Sequence, residues 1–191
     1  MTRVLVLTGH PRKDSLCGAL AERFATGAAT AGHDVHRIAL ADLPIDLAPP
    51  DYAAKDAPPA PWVAEVQAAL AACEVVVIVA PLWWGSLPAA LDALFERVLL
   101  PGFAFRYRAR GLGWDRLLGG RRARLILTAD SPPWYLRWVL GWPLIRRLRR
   151  QVLGFCGIAP TAVTLFGPVK TSDEATRSRW LAAAETLGRT P

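Results

Sequence analysis

Cysteine is scarce in this chain of 191 residues: Cys17, Cys73 and Cys156 are odd in number, far apart and form no C-x-x-C pair. That excludes a disulfide framework and a cysteine zinc site, and it leaves Cys73 and Cys156 as small apolar packing residues. Histidine is equally rare. His33 and His36 have a ligand-like spacing, yet "AGHDVHRIAL" reads as a helix end running into a strand, with no carboxylate or cysteine cluster beside it. No metal is expected. No apolar run approaches the roughly 20 residues a membrane-spanning helix needs, so no integral membrane segment is expected. The opening "MTRVLVLTGHPRKDS" has too short an apolar stretch for a signal peptide and no small-residue cleavage site, and a cytoplasmic protein is expected. The P-loop pattern G-x-x-x-x-G-K-[ST] and the dinucleotide fingerprint G-x-G-x-x-G are both missing. There are no repeats, and one domain over residues 1–191 is expected.

Acidic residues are in short supply too. Asp and Glu number 16 against 23 Lys and Arg, a net charge of +7, and "RRLRR" at 146–150 is the densest basic run. Such an excess attracts phosphorylated ligands, nucleic acid or an anionic membrane surface, or simply solvates a helix face. Charge alone does not choose among these. With 52% hydrophobic and 20% charged residues, the chain is globular rather than disordered.

What is present is an alternation of apolar runs and helical patterns, the signature of βαβ units around a parallel sheet. Strands are expected at Val4–Thr8, Asp34–Ala39, Val75–Ala80, Leu125–Ala129 and Ala162–Phe166. "VVVIVA" is apolar at every position, as a central strand covered on both faces should be. "DVHRIAL" alternates and belongs at an edge. Helices are expected at Ser15–Ala31 behind a Ser15 cap, Pro61–Ala72, Pro88–Leu100, Trp134–Phe155 with a break at Gly141 and Pro143, and Thr171–Gly188 capped by Ser172 or Asp173. Residues 41–60 and 101–121 read as long loops. Five strands and five helices fit a flavodoxin-like α/β fold, a doubly wound five-stranded parallel sheet of order 2-1-3-4-5 with helices on both faces.

In that order the loops after the first and third strands flank one crevice. Here they are "GHPRKDSLCG" and "PLWWGSLP". The first places Gly9 in a tight turn, then the Ser15 hydroxyl and the free N–H groups of Leu16 and Cys17 at a helix start, an anion site with His10, Arg12 and Lys13 nearby. The bland alternative is an ordinary capped helix. The second supplies Pro81, Leu82 and a flat wall of Trp83 and Trp84, with Gly85 leaving room for close approach. Its bland alternative is a plug at the sheet end or a subunit interface. Together they suit a planar ring on a phosphorylated tail, and each aromatic contact adds about 1 kcal/mol beyond area burial. "LTADSPPWY" lies at the same edge. Thr128, Ala129 and Asp130 can offer backbone groups to ring heteroatoms, and Tyr135 a phenol, packing being the alternative for Tyr135.

On these three loops the chain resembles the NAD(P)H:quinone oxidoreductase family of flavodoxin-like flavoproteins. The match extends through "PLWWGSLPAALDALFERVLLPGFAFRY", "FCGI" and "FGPVK". The resemblance implies flavin phosphates on His10, Ser15, Leu16 and Cys17. It implies an isoalloxazine along Pro81, Leu82, Trp83 and Trp84, with ring contacts from Thr128, Ala129, Asp130 and Ser131. It also implies a homodimer with active sites at the interface, where Phe103 and Phe105 would shape the neighbouring site. The family's "TTGG" after strand four is "TADS" here. The family also pairs a tyrosine with a histidine near the ring; Tyr135 is present, but no histidine follows His36.

The reading that follows is a ping-pong oxidoreductase. Hydride passes from NADPH or NADH through bound flavin (FAD favoured, FMN the alternative) to a quinone or similar flat acceptor. Tyr135 is the candidate catalytic group, stabilising negative charge together with backbone donors. The rival is a flavin-bearing ancillary subunit of a membrane system with little turnover of its own. A third reading gives "WYLRWVLGWPLIRRLRR" an amphipathic face for a membrane or nucleic acid, against the plainer view that the sheet or a partner subunit buries that face. No nucleic acid partner is expected.

Overall fold

The computed structural model describes residues 1–48 and 58–191. The expected loop 41–60 falls partly outside them. Chain order runs β1 (Arg3–Thr8), α1 (Leu16–Thr30), β2 (Asp34–Ala39), α2 (Pro61–Ala72), β3 (Val75–Pro81) and α3 (Ala89–Val98). A short antiparallel hairpin follows, β4 (Phe105–Tyr107) and β5 (Trp114–Arg116), then β6 (Arg122–Thr128). The chain continues through α4 (Pro143–Arg147), α5 (Leu153–Cys156), β7 (Ala159–Phe166) and α6 (Glu174–Gly188). The main sheet is wholly parallel in the order β2-β1-β3-β6-β7, which is 2-1-3-4-5 of its own strands, as expected.

Period-two geometry sorts the strand residues into two cores. Val4, Val6, Val75, Val77, Val79 and Ile126 face α1 and α6. Leu5, Leu7, Val76, Ile78, Leu125 and Leu127 face α2, α3 and the segment 144–158. All seven residues of β3 are buried, which is why its sequence never alternates. β2, at the edge, exposes Asp34, His36 and Arg37. His33 Nδ1 accepts the Thr2 N–H at 3.2 Å and its Nε2 lies 3.3 Å from the Arg189 carbonyl, while His36 is exposed.

α1 and α6 cross at backbone contact. A Cβ on Gly27 would stand 1.9 Å from the Glu185 carbonyl oxygen, and one on Gly188 would stand 2.1 Å from that of Phe24. Each helix therefore offers a glycine to the other's backbone.

Two regions depart from expectation. The stretch 101–121 carries the β4–β5 hairpin, pinned where Trp114 stacks on Phe155 at 4.3 Å and donates its indole N–H to the Phe155 carbonyl at 2.8 Å. Three-residue strands rich in arginine give no periodic signal, so the pattern hides them. The expected helix Trp134–Phe155 is broken more than once. π-helical turns span Tyr135–Val139 and Leu148–Val152, and Gly141 and Trp142 both have left-handed φ, +65° and +54°. The wide second turn lays the Arg149 carbonyl against Gly154, where a Cβ would meet it at 1.8 Å.

Candidate functional site

Three hydrogen bonds draw the loops at the carboxyl end of the sheet together. Gly9 donates its N–H to the Val79 carbonyl at 2.8 Å, Leu82 to Thr128 at 2.7 Å, and Ala129 to Phe166 at 3.0 Å. The result is one continuous cleft in two parts. A hollow of about 240 Å³ is lined by His10, Arg12, Asp14, Ser15, Leu16, Cys17, Pro81, Leu82, Trp83, Thr128, Ala129, Asp130 and Val169. Beside it a hollow of about 460 Å³ is lined by Leu82, Trp83, Trp84, Gly85, Ala129, Asp130, Ser131, Leu136 and Leu140. All twelve residues expected to bind a cofactor line one part or the other. Trp83 belongs to both and meets His10 edge-on, ring centroids 5.4 Å apart at 81°.

The smaller part is built for an anion. Ser15 caps α1, its Oγ accepting the Gly18 N–H at 3.1 Å, which leaves the hydroxyl proton free to donate. The N–H groups of Leu16 and Cys17, first in the helix, have no intrahelical acceptor. His10 is buried, and its Nδ1 accepts the Arg12 N–H at 3.0 Å. An acceptor nitrogen carries no proton, so neutral His10 holds its proton on Nε2 and is a donor there. Burial first, and then the Arg12 charge, lowers its pKa below 6.5 and keeps it neutral. Arg12 lines the hollow, but so does Asp14, which opposes an anion. Lys13 turns aside to an ion pair with Asp42 at 2.6 Å.

Several side chains act as supports. The Cys17 thiol lies 3.3 Å from the Thr128 hydroxyl in the core, and burial pushes its pKa up to about 11. Only the Cys17 backbone is available to a ligand. Thr128 and Ala129 offer less than expected, because the Thr128 carbonyl already takes Leu82 and both polar groups of Ala129 are engaged, with Phe166 and Val169. Asp130 Oδ1 accepts the Lys170 N–H at 2.7 Å. The donors left beside the larger hollow are the N–H groups of Asp130 and Ser131 and the Ser131 hydroxyl, which carry no hydrogen bond among the described residues.

The aromatic wall is a two-residue hairpin. Trp83 and Ser86 exchange both backbone hydrogen bonds at 2.9 Å, and the corner residues Trp84 and Gly85 have φ +51° and +75°. Gly85 is therefore a turn residue; a Cβ there would meet nothing within 4 Å. Gly9 has the opposite role. Its φ is not left-handed, and a Cβ would stand 2.5 Å from Leu91 Cδ2, so a side chain there would require the buried Leu91 to move. Trp84 is fully exposed at the mouth.

Tyr135 is not among the residues that line either hollow. Its ring stands edge-on to Trp134 at 5.8 Å, and the lining at that point comes from Leu136 and Leu140. Sequence reasoning missed those two leucines, Asp14 and Val169. "FGPVK" was a visible signal for Val169: Gly167 lets the chain pass so close to Ala129 that a Cβ would meet its carbonyl at 2.4 Å.

An "FMN-dependent NADH:quinone oxidoreductase" of Methylobacterium radiotolerans is 34% identical over 105 residues, 50% of this chain and 46% of that one. An "Uncharacterized NAD(P)H oxidoreductase" of Haemophilus influenzae is 26% identical over 111 residues, 58% of this chain and 54% of the other. The chain thus spans about half the length of these curated relatives. Among solved structures, the NAD(P)H:quinone oxidoreductase from Methanothermobacter marburgensis superposes with a TM-score of 0.75 at 24% identity, covering 99% of this chain and 98% of that one. The family model described as "Flavodoxin-like fold" matches residues 2–187, and the chain belongs to that family.

Proposed function

We propose that this protein is an FMN-dependent NAD(P)H oxidoreductase that delivers hydride to a quinone or similarly flat acceptor. One observation carries the reading: a donor-lined anion hollow and an indole-walled slot are joined through the His10–Trp83 contact into one cleft. The FAD favoured from sequence gives way to FMN. The hollow presents one set of donors at one helix start, enough for a single phosphate, and the Methylobacterium relative is named as FMN-dependent. FMN, when bound, supplies the hydride chemistry that no side chain here can.

The residues present fit that group. Ser15, Leu16, Cys17 and His10 Nε2 would hold its phosphate. Pro81, Leu82 and Trp83 would lie along its ring, with Ala129, Asp130 and Ser131 at the ring's polar edge. Leu136, Leu140 and Trp84 would give the outer slot its apolar walls. Donor and acceptor would occupy that slot in turn, the physical basis of a ping-pong pattern. In place of Tyr135, the open N–H groups of Asp130 and Ser131 are the candidates for stabilising negative charge. A second copy of the chain is proposed to meet the β4–β5 hairpin, which leaves Tyr107 and Leu112 exposed.

The test is the visible spectrum of the purified protein, followed by chromatography of the flavin released on denaturation and by NADH and NADPH oxidation with a soluble quinone. A yellow protein releasing FMN, with parallel initial-rate lines, is expected. Colourless protein that gains neither colour nor NAD(P)H oxidation with added FMN or FAD contradicts it.

A further inference from the structure

Next to the cleft, and sharing Leu140 with it, lies a surface whose other residues have no role in the reading above. The segment 134–150 turns Leu136, Leu144, Ile145 and Leu148 into the core, but leaves Trp134, Trp138, Val139 and Leu140 exposed, Trp138 at 74%. The plainer expectation is burial by the sheet or a partner subunit; the sheet side covers the first set, and the second set is left for whatever docks on it. Adjacent exposed aromatic and aliphatic residues of this kind mark a docking surface.

The charges beside it say what docks. Arg147 is paired with Asp92 at 2.9 Å, but Arg137, Arg146, Arg149 and Arg150 meet no carboxylate among the described residues. No Asp or Glu occurs anywhere between Asp130 and Asp173. Arg137 lies over the Trp138 ring, 4.8 Å from its centroid. Arg137, Arg146 and Arg149 also line a hollow of about 410 Å³ with Trp142, whose buried indole N–H has no hydrogen-bond partner among the described residues. Three guanidiniums around one hollow suit a phosphate oxygen. A second copy of this chain seated symmetrically on the patch would bring those arginines against themselves. A free phosphate would leave the indoles uncovered. An anionic bilayer surface satisfies both parts: headgroup phosphates for the arginines, and the boundary of the acyl chains for Trp138 and Val139.

We propose that residues 134–150 dock this protein on an anionic lipid surface. Leu140 belongs to the docking patch and also lines the cleft, so docking sets the cleft mouth against the bilayer, where apolar acceptors dissolve. That consequence rests on the function proposed above. Docking itself does not, and vesicle binding and flavin binding fail separately.

The experiment is co-sedimentation of the full chain with vesicles of phosphatidylglycerol and phosphatidylcholine, and with vesicles of phosphatidylcholine alone. Binding is expected on the first, weak on the second, and reduced by salt. Two double variants, Trp138→Ser with Val139→Ser and Arg149→Glu with Arg150→Glu, should each lower the partition by roughly tenfold or more. Unchanged circular dichroism melting would show that both fold. Equal partition onto both vesicles, no effect of the arginine pair, or complete displacement by inorganic phosphate overturns the proposal. So does a dimer that Trp138→Ser dissociates while no vesicle is bound, since a second copy then covers the patch.

Discussion

His10 shows how one side chain can be read from its partners. Because Nδ1 accepts the Arg12 N–H, the donor left at the cleft is Nε2–H, and burial and the Arg12 charge keep the ring neutral. The folded-state pKa is depressed, so the unfolded chain takes up the proton first. Stability from the neutral ring is full above about pH 6.5 and is lost as pH falls through the folded pKa. The flavin-free protein should melt at lower temperature below that pH, and His10→Gln should remove this part of the slope. An identical slope in the variant would show that other groups set it. The three buried cysteines allow a second check: with Cys17 and Cys156 both pushed up to about 11, native protein should react with no thiol reagent until it unfolds. Rapid labelling of a native thiol would contradict the packing. Tyr135→Phe should keep turnover within about twofold, since Tyr135 lines neither hollow; a hundredfold loss would restore it as a charge stabiliser.

At the scale of elements, two backbone arrangements carry predictions. The α1–α6 crossing leaves no room for a Cβ on Gly27, so Gly27→Val should cost about 3 kcal/mol and lower the melting temperature by several degrees. An unchanged Tm would mean the helices part freely. The 83–86 hairpin holds a bulky Trp84 at φ +51°, a conformation costing roughly 1–2 kcal/mol that asparagine accepts more easily. Trp84→Asn should therefore raise Tm while weakening the binding of flat acceptors, and a lower Tm would remove the strain account. The oddity of "PLWWGSLP" was legible in sequence, and so was its neighbour across the cleft. The hairpin corner was not, because nothing in a tryptophan announces positive φ. Ser15 as a cap and Pro61 at a helix start were legible from side-chain chemistry alone. The fate of 134–155 was only half legible: Gly141 and Pro143 advertised a break, but the π-helical turns depend on how Leu136 and Leu148 reach the core.

For the whole molecule, the unbroken apolar run "VVVIVA" marked a central strand and the more polar "DVHRIAL" an edge, and five strands alternating with helices matched the order of a doubly wound sheet. Which loops meet at its carboxyl end followed from that order. What each loop atom has free to offer did not follow, since Thr128, Ala129 and Cys17 commit their polar groups to neighbours distant in sequence. The net charge of +7 and its densest run at 146–150 were visible from the start, but which of those arginines a distant carboxylate answers, Arg147 by Asp92, emerges only in three dimensions.

The central claim is that one cleft recognises a phosphate and a flat ring together. Fluorescence titration of flavin-stripped protein with FMN and with riboflavin tests it most directly, because the two ligands differ by the phosphate alone. FMN should bind at least about tenfold more tightly than riboflavin, with Ser15→Ala and His10→Gln narrowing the gap. Equal affinity for the two, or binding of neither, would contradict it.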